Sequence, residues 1–525
     1  MNPGIVKRAA RATLGAVMGA ALLAHPQAAS AQTLLDPALS VATVVSGLSQ
    51  PIAMAFLGPN DFLVTEKASG QVKRVTNGVV TGVVLDLAVN SNSERGLLGM
   101  ALHPKFPKTP YVYLYNTASS TGADTNVAAN VPLLGNRVDR FIWNDSTLTF
   151  DRNIITLRAR QSDVNNVLTT PPSVIERGNH NGGVLRFGPD RKLYVVIGDT
   201  GRRGYTQNIT TGLLPGGTDD AFGGPEPDDA HLTGVILRLN DDGTTPRDNP
   251  FHRPGRPDHD RRARHGDDDD DDDDDHGDKD HHRPLPPLSA AAIANIQKIF
   301  AYGVRNSFGM TFDPKTGTLW NTDNSGRAFD EINRIKPGSN NGWIQFMGPL
   351  GRVAEFKALE ISVGVNAANG SPVGLQQVRF PATAIADTPA EAKARLFALP
   401  GSKANDPQFS WKQVVPPAAL AFVRGVGLGE HYEGDLIVGS AVARAANRGH
   451  LYRFTLNHKR TAFVFDEPLL QDKVADNNAV DDFTTEGGEI LFGLNFGIVT
   501  DIQTGPDGAI YLVGPAGTVR KIFKP

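Results

Sequence analysis

Along the chain, short apolar runs recur in pairs, and each pair is joined by a turn containing Gly, Pro or Asp. The clearest pair lies in Gly178–Gly201, GNHNGGVLRFGPDRKLYVVIGDTG. A polar, glycine-rich loop carrying His180 leads into an apolar strand at Val184–Phe187. The turn Gly188-Pro189-Asp190-Arg191 follows, then a fully apolar strand at Leu193–Ile197 that ends in Gly198-Asp199. Two such runs around a Pro-Asp turn predict a β-hairpin. Its polar ends meet at one rim, where His180 and Asp199 either do chemistry or hold the loops in place.

Five further segments carry the same pattern, at 51–75, 97–116, 307–335, 416–456 and 497–522. Each has an apolar strand, a turn and a second strand rich in Val, Ile, Leu and Tyr. Several add a third strand in which Arg or Lys stands between apolar residues. One unit of this kind cannot bury both faces of its own sheet, whereas radial repetition buries them and leaves few open edges. Six copies at irregular spacing predict an all-β fold, a six-bladed β-propeller with long inter-blade loops. The alternative is a β-sandwich with a second domain. Helix signals are confined to Ser289–Phe300 and Pro389–Leu399. The apolar strand at Ser40–Leu48 is expected to complete the sheet that ends the chain near Thr518–Phe523. Long loops on one rim of a rigid scaffold are where sites gather.

Composition sets the context. Lys7, Arg8 and Arg11 precede an apolar run at Leu14–Ala24 and the small residues Ala29-Ser30-Ala31. That order predicts a secretory signal peptide over residues 1–31, cut before Gln32, and a periplasmic or secreted protein. The remaining 494 residues (525 less 31) are read as one propeller domain, 32–525. No later stretch reaches the roughly 20 apolar residues of a membrane-spanning helix. The absence of cysteine excludes disulfides, thiolate zinc sites and a cysteine nucleophile. After cleavage, 49 basic residues face 56 acidic ones, a net charge of −7, and −6 of it falls in residues 251–283. The near-neutral remainder suggests neither a nucleic-acid nor an anionic-membrane surface. The insertion at 252–288 includes nine consecutive aspartates, Asp267–Asp275, flanked by His252, His259, His265, His276, His281 and His282. Such a run repels itself and is expected to be a disordered, solvated loop, with loose cation binding as the other reading.

Four polar loops adjoin the apolar strands: Ser93–Gly99, Asn179–Gly183, Tyr302–Asn306 and Asp323–Gly326. Asp330–Asn333 and Asn341–Trp343 follow the last of these. In a propeller, loops entering the inner strands converge near the axis. They would bring together His180, Glu94, arginines such as Arg305, and several amides. A neutral histidine takes a proton from an alcohol near neutral pH. Arginine forks onto carboxylates, and carboxylate and carbonyl oxygens suit calcium. Each residue also has a structural reading: His180 as a loop cap, Arg305 as the partner of a nearby Asp, Glu331 as an acceptor for backbone amides. His103 is read as a turn residue.

The motifs GLLGMALHPKF (96–106), HNGGVLRFGPDRKLYVVIGDTG (180–201), GVILRLNDDGTTPRDNPF (234–251), IFAYGVRNSFGMTFDP (299–314), DEINRIKPGSNNGW (330–343) and TGPDGAIYLV (504–513) resemble, in order, the glucose/sorbosone dehydrogenase family. The resemblance implies a six-bladed propeller that uses pyrroloquinoline quinone (PQQ) with calcium to oxidise an aldose or related sugar at the anomeric carbon. It implies His180 as the general base while hydride passes to the quinone. It places Arg305 and Asn306 along the quinone, Asn324 in contact with it, Ser325 and Gly326 as calcium carbonyls, and Glu331 as a ligand of a structural calcium. Glu94 stands where the enzymes carry Gln. Arg444 and Arg448 stand in the loop where the family uses a lysine, so Glu94 and Arg444 are assigned to the cofactor. Asn179 stands where the enzymes carry Asp or a like residue beside the histidine. Ile498 and Thr500 stand where the glucose dehydrogenases place two arginines on the quinone carboxylates, and each missing fork costs about 1.5–3 kcal/mol. The alternative is therefore a non-catalytic propeller that binds carbohydrate or a partner and has lost PQQ affinity. A third reading, a calcium-dependent lactonase-like propeller, needs several axial carboxylates, for which Glu94 and Asp199 are the candidates. The partner implied is a small-molecule sugar, and the electron acceptor is unidentified.

Overall fold

Every one of the repeated segments opens a β-sheet. The computed structural model describes residues 32–160, 178–201, 232–252, 290–362, 385–440, 449–477 and 486–525, with the backbone alone at 165–166 and 173–174. The leader, the aspartate run, Arg444 and Arg448 lie outside the described residues.

Among the described residues, six sheets of four or more strands follow one another along the chain. The first is Pro51–Gly58, Asp61–Glu66, Gln71–Thr76 and Val79–Asp86. The second is Leu97–Leu102, Tyr111–Thr117, Asn136–Trp143 and Leu148–Leu157. The third begins with the hairpin Leu185–Phe187 and Leu193–Ile197 and adds Val235–Leu239 and Ile299–Tyr302. The fourth is built on Gly309–Phe312, Leu319–Asp323, Ala328–Ile335 and Phe409–Gln413. The fifth is built on Pro417–Phe422, Leu436–Ser440, Leu451–Leu456 and Leu491–Leu494. The sixth is Asp501–Thr504, Ile510–Gly514 and Thr518–Phe523. Ser40–Val45 joins it, with Ser40 opposite Phe523 and Val41 opposite Ile522. A strand from early in the chain thus completes the last sheet, as expected. The first strand of each sheet touches the first strand of the next, and the sixth touches the first. The protein is a mostly-β propeller.

The second strand is buried along its whole length in Leu193–Ile197, Leu319–Asp323, Leu436–Ser440 and Ile510–Gly514. Sheets cover it on both sides, so Leu193–Ile197 is continuously apolar rather than alternating, whereas Leu319–Asp323 carries the buried polar residues Asn321, Thr322 and Asp323. The core is the space between sheets. Leu193, Val195 and Ile197 pack with Tyr113, Tyr115 and Val138 of the second sheet, and Trp320, Phe409 and Trp411 pack with Leu436, Val438 and Phe454 of the fifth. Helices fall in both predicted windows, at Ala290–Ile296 and Pro389–Arg395. Thr388 caps the second by accepting from Glu391 N at 3.2 Å, with Pro389 in the first turn. The pattern does not predict a third helix, Val353–Ile361, because no side chain caps its start.

The first strands surround an axial cavity of about 20 Å³, room for roughly one water. Arg186 of the third sheet crosses it to Asp501 of the sixth, on the opposite side of the ring, at 2.8 Å. The other Asp501 oxygen accepts Met54 N of the first sheet at 3.0 Å. Asp501→Ala removes both acceptors and is expected to destabilise the fold by about 2–3 kcal/mol. Arg186→Met in that background should recover part of the loss, and denaturant midpoints of the four proteins in the cycle check this.

Candidate active site

The site is built at the ends of strands, from loops that enter the first strands of the second, third and fourth sheets. Close approach of these strands depends on glycine. A Cβ on Gly183 (φ +105°) would stand 2.7 Å from the Leu98 Cβ, and one on Gly99 would stand 1.9 Å from the Gly183 carbonyl oxygen. This is the physical content of the Gly-Gly and Gly-Leu-Leu-Gly motifs. Gly198 has the same role one strand later, where a Cβ would sit 2.4 Å from the Arg305 carbonyl oxygen. Asp199 N donates to that same oxygen at 2.8 Å, which fastens the third sheet to the fourth.

His180 is buried. Its Nδ1 lies 2.5 Å from Asp199 Oδ1, and its Nε2 lies 3.4 Å from Arg305 Nη2. A guanidinium only donates, so Nε2 carries the lone pair and Nδ1 carries the proton given to Asp199. Asp199 is itself held by Trp343 Nε1 at 2.8 Å and by Gly201 N at 2.8 Å. The Arg305 guanidinium stands 5.3 Å from the centre of the Trp343 ring and donates to the carbonyl oxygens of Asn324 and Ser325. Histidine, carboxylate, indole and guanidinium thus form one connected group.

Acidic side chains hold the loops. Glu94 Oε2 accepts His180 N at 2.5 Å, and Oε1 stands 3.5 Å from Asn306 Nδ2. Asp323 accepts Arg305 N at 2.9 Å and Asn306 N at 2.7 Å. Asp330 accepts Ser325 N and Val415 N, each at 2.7 Å. Glu331 accepts Gly348 N at 2.6 Å and Asn333 Nδ2 at 2.9 Å. Burial pushes Asp323 and Asp330 up to about 7, against the opposing pull of their N–H donors. Burial, and next the Asp323 charge, hold Glu331 well above the usual carboxylate range.

Of the residues singled out from the sequence, His180, Arg305, Asn306, Asn324, Ser325 and Glu94 come together. Gly326 is half-buried one residue beyond the Arg305 contact. Glu331 lies on the strand beside Asp323, its direct register partner. Asp199, read from the sequence as a loop-holding residue, contacts the His180 ring directly and accepts the loop N–H of Gly201 as well. Asn179 instead packs its side-chain oxygen against Gly201. Ile498 is exposed, and the Thr500 hydroxyl donates to Val513 O at 3.2 Å. Trp343, Asp323 and Asp330 were missed as site residues. A signal was present for Asp199, which follows the buried apolar strand Leu193–Ile197 after a single glycine.

The donor chemistry suits a polar cofactor with a hard cation. Asn306 Oδ1, Asn324 Oδ1 and both amide atoms of Asn181 are buried with no partner among the described residues. Beside Glu331, Asn321 Oδ1 and Asn333 Oδ1 are orphaned in the same way. Asn321 pairs with Asn333 and Asp323 with Glu331 across adjacent strands, so the four side chains share one sheet face. Among the described residues, no three His, Asp or Glu side chains form a metal cage, which leaves amide and carbonyl oxygens as the complement to Glu331.

A propeller in which a buried histidine, a carboxylate and a guanidinium form one connected group is the class that fold and site define. Residues 48–259 and 287–348 match the Glucose / Sorbosone dehydrogenase family, and the chain belongs to it. It is 26% identical over 488 residues to an uncharacterized protein of Synechocystis, covering 91% of this chain and 84% of that one. It is 27% identical over 315 residues to Quinoprotein glucose dehydrogenase B of Acinetobacter calcoaceticus, covering 58% of this chain and only 52% of that enzyme. Among solved structures, a putative glucose dehydrogenase of Thermus thermophilus matches with a TM-score of 0.53 at 25% identity, over 92% of this chain and all of that one. Among the described residues no helix is long and apolar enough to cross a membrane.

The raised carboxyls make stability depend on pH with a definite sign. Folded Asp323 and Asp330 keep their protons up to about pH 7, while the unfolded chain releases them near 3.8. Their contribution is complete below about pH 4 and is lost as pH rises through about 7, at up to about 1.4 kcal/mol per pH unit per proton. In chelator-treated protein, stability should therefore fall between pH 5 and 8, and Asp323→Asn should flatten that slope. Denaturant unfolding across this range checks both.

Proposed function

We propose that the protein is a PQQ-dependent sugar dehydrogenase that oxidises an aldose or related sugar at its anomeric carbon, on a scaffold in which the six sheets are the six blades of the family's propeller. The observation that carries this reading is the placement of the buried His180 ring, with Nδ1 2.5 Å from Asp199 and Nε2 3.4 Å from Arg305. Asp199 holds the proton on Nδ1 and leaves the Nε2 lone pair facing the guanidinium side of the site. A sugar hydroxyl that replaces Arg305 Nη2 at Nε2 gives its proton to His180 as the anomeric C–H hydride leaves and the C=O bond of the lactone forms. Asp199 keeps the imidazole oriented and stabilises it once it is charged, and Trp343 keeps Asp199 in place. PQQ, when bound, would supply the hydride acceptor, and calcium beside it would supply Lewis-acid activation. Arg305, Asn306 and Asn324 would hold the quinone, the Ser325 and Gly326 carbonyls its calcium, and Glu331 with Asn333 and Asn321 a structural calcium.

One observation favours the second reading, a propeller that binds without redox chemistry. Thr500 and Ile498 bring no charge to the axis, and Arg186 is spent on Asp501. Two missing forks lower PQQ affinity by roughly 10² to 10⁴ if nothing compensates.

Titration of apo-protein with PQQ and calcium, followed by quinone absorbance, separates the two; no saturable binding at micromolar PQQ refutes the dehydrogenase. His180→Ala is expected to bind PQQ and to lose dye reduction by about 10²–10⁴-fold, and surviving dye reduction removes His180 as the base. Calcium added to chelator-treated protein should raise the melting temperature more at pH 8 than at pH 5, because a cation competes with the proton on Glu331, whose carboxyl burial holds well above the usual carboxylate range. Equal shifts at both pH values, or none, remove the calcium part of the reading.

A further inference from the structure

We infer that Glu94 is a positioning residue for the base and acts on the backbone of His180 rather than on the cofactor. The inference rests on the reading of His180 as the proton acceptor. His180 has φ of +58°, the left-handed region that residues other than glycine rarely occupy. Such a backbone persists where its surroundings over-determine it. Two carboxylates from different sheets do so here. Asp199 fixes the ring through Nδ1, and Glu94 fixes the main chain by accepting His180 N, each at 2.5 Å.

Glu94 lies in the loop that enters the second sheet, His180 in the loop that enters the third. Its other oxygen stands 3.5 Å from Asn306 Nδ2, in the loop that enters the fourth. One carboxylate therefore sets the spacing of three loops that share no strand. The loop that carries Glu94 is pinned in turn, because Lys67 Nζ of the first sheet donates to Ser91 O at 2.9 Å. Without the Glu94 acceptor, the buried His180 N–H has no partner in this geometry. The backbone then relaxes out of the left-handed region and swings the imidazole off Asp199, so the Nδ1–H tautomer is no longer enforced. The contact needs an acceptor oxygen at this point, which Gln also provides, so the role belongs to the hydrogen bond rather than to the charge.

The test reads ring state, turnover and cofactor affinity separately. In protein labelled with ¹⁵N-histidine, with the His180 signals assigned by difference from His180→Ala, the wild type shows the Nδ1–H tautomer and Glu94→Ala shows a mixture. In reconstituted enzyme, Glu94→Ala loses about 100-fold in kcat, the scale of a small misplacement at a reacting group. KM and the PQQ titration stay within about threefold of wild type, because Glu94 acts on the His180 backbone and not on sugar or quinone. Glu94→Gln keeps the wild-type tautomer and most of the turnover. The inference is overturned if Glu94→Ala leaves the tautomer and kcat intact, if Glu94→Gln is as impaired as Glu94→Ala, or if Glu94→Ala loses PQQ affinity instead. Should the wild type show no dehydrogenase activity, the functional reading fails, and the tautomer signal alone still decides the role of Glu94.

Discussion

The site depends on one recurring constraint: loop N–H groups buried between sheets must find acceptors, and acidic side chains at strand ends supply them. Glu66 ends the second strand of the first sheet and accepts Ser49 N at 2.7 Å. Asp199 follows that of the third sheet by two residues and accepts Gly201 N, and Asp323 ends that of the fourth and accepts two N–H groups. An unpaired buried N–H costs about 1–3 kcal/mol, so these acids decide where the loops sit before any ligand is considered. The fold places loop entrances at the ring axis, and the carboxylates fix which atoms of those loops face one another.

Rigidity at this point has a source outside the loops. The glycines at 99, 183 and 198 let main chains of adjacent sheets touch, so the first strands cannot move apart without losing a packed core. Asp501 adds a tie across the ring through Arg186 and Met54. A loop pinned at both ends to such a frame tolerates an unfavourable backbone at His180, and this strain sits where geometry matters most.

The repeats, the closing strand and two helices were legible because each leaves a local signature: apolar pairs around a turn, a spare apolar strand, a Thr-Pro cap. His180, Arg305 and Asn306 were legible from motif order. The third helix was hidden because it starts without a capping side chain. Asp199 was undervalued for a different reason. It stands 19 residues after His180 in sequence, and only the hairpin register returns it to the loop where the hairpin began. Trp343, 144 residues beyond Asp199, stood in a motif singled out from the sequence, but nothing local pairs its indole with that acid. Glu94 looked like a cofactor contact by its position, and its backbone partner is invisible to any one-dimensional pattern.

The electrostatics of the fourth sheet carry the remaining argument. Asp323, Asp330 and Glu331 are fully buried close together, and each is pushed toward its neutral form. Arg305 lowers the pKa of Asp323 and of Asp330, and the mutual repulsion of the acids acts against it. One guanidinium cannot neutralise three carboxylates, so at neutral pH the group keeps protons or takes up another cation. The orphaned oxygens of Asn321 and Asn333 stand on the same sheet face as Glu331, and a hydroxyl or a proton does not need two extra acceptors. Oxygen acceptors around a buried acid suit a hard cation. The same acids that hold Arg305 and Asn306 in place therefore tie the geometry of the site to their own protonation.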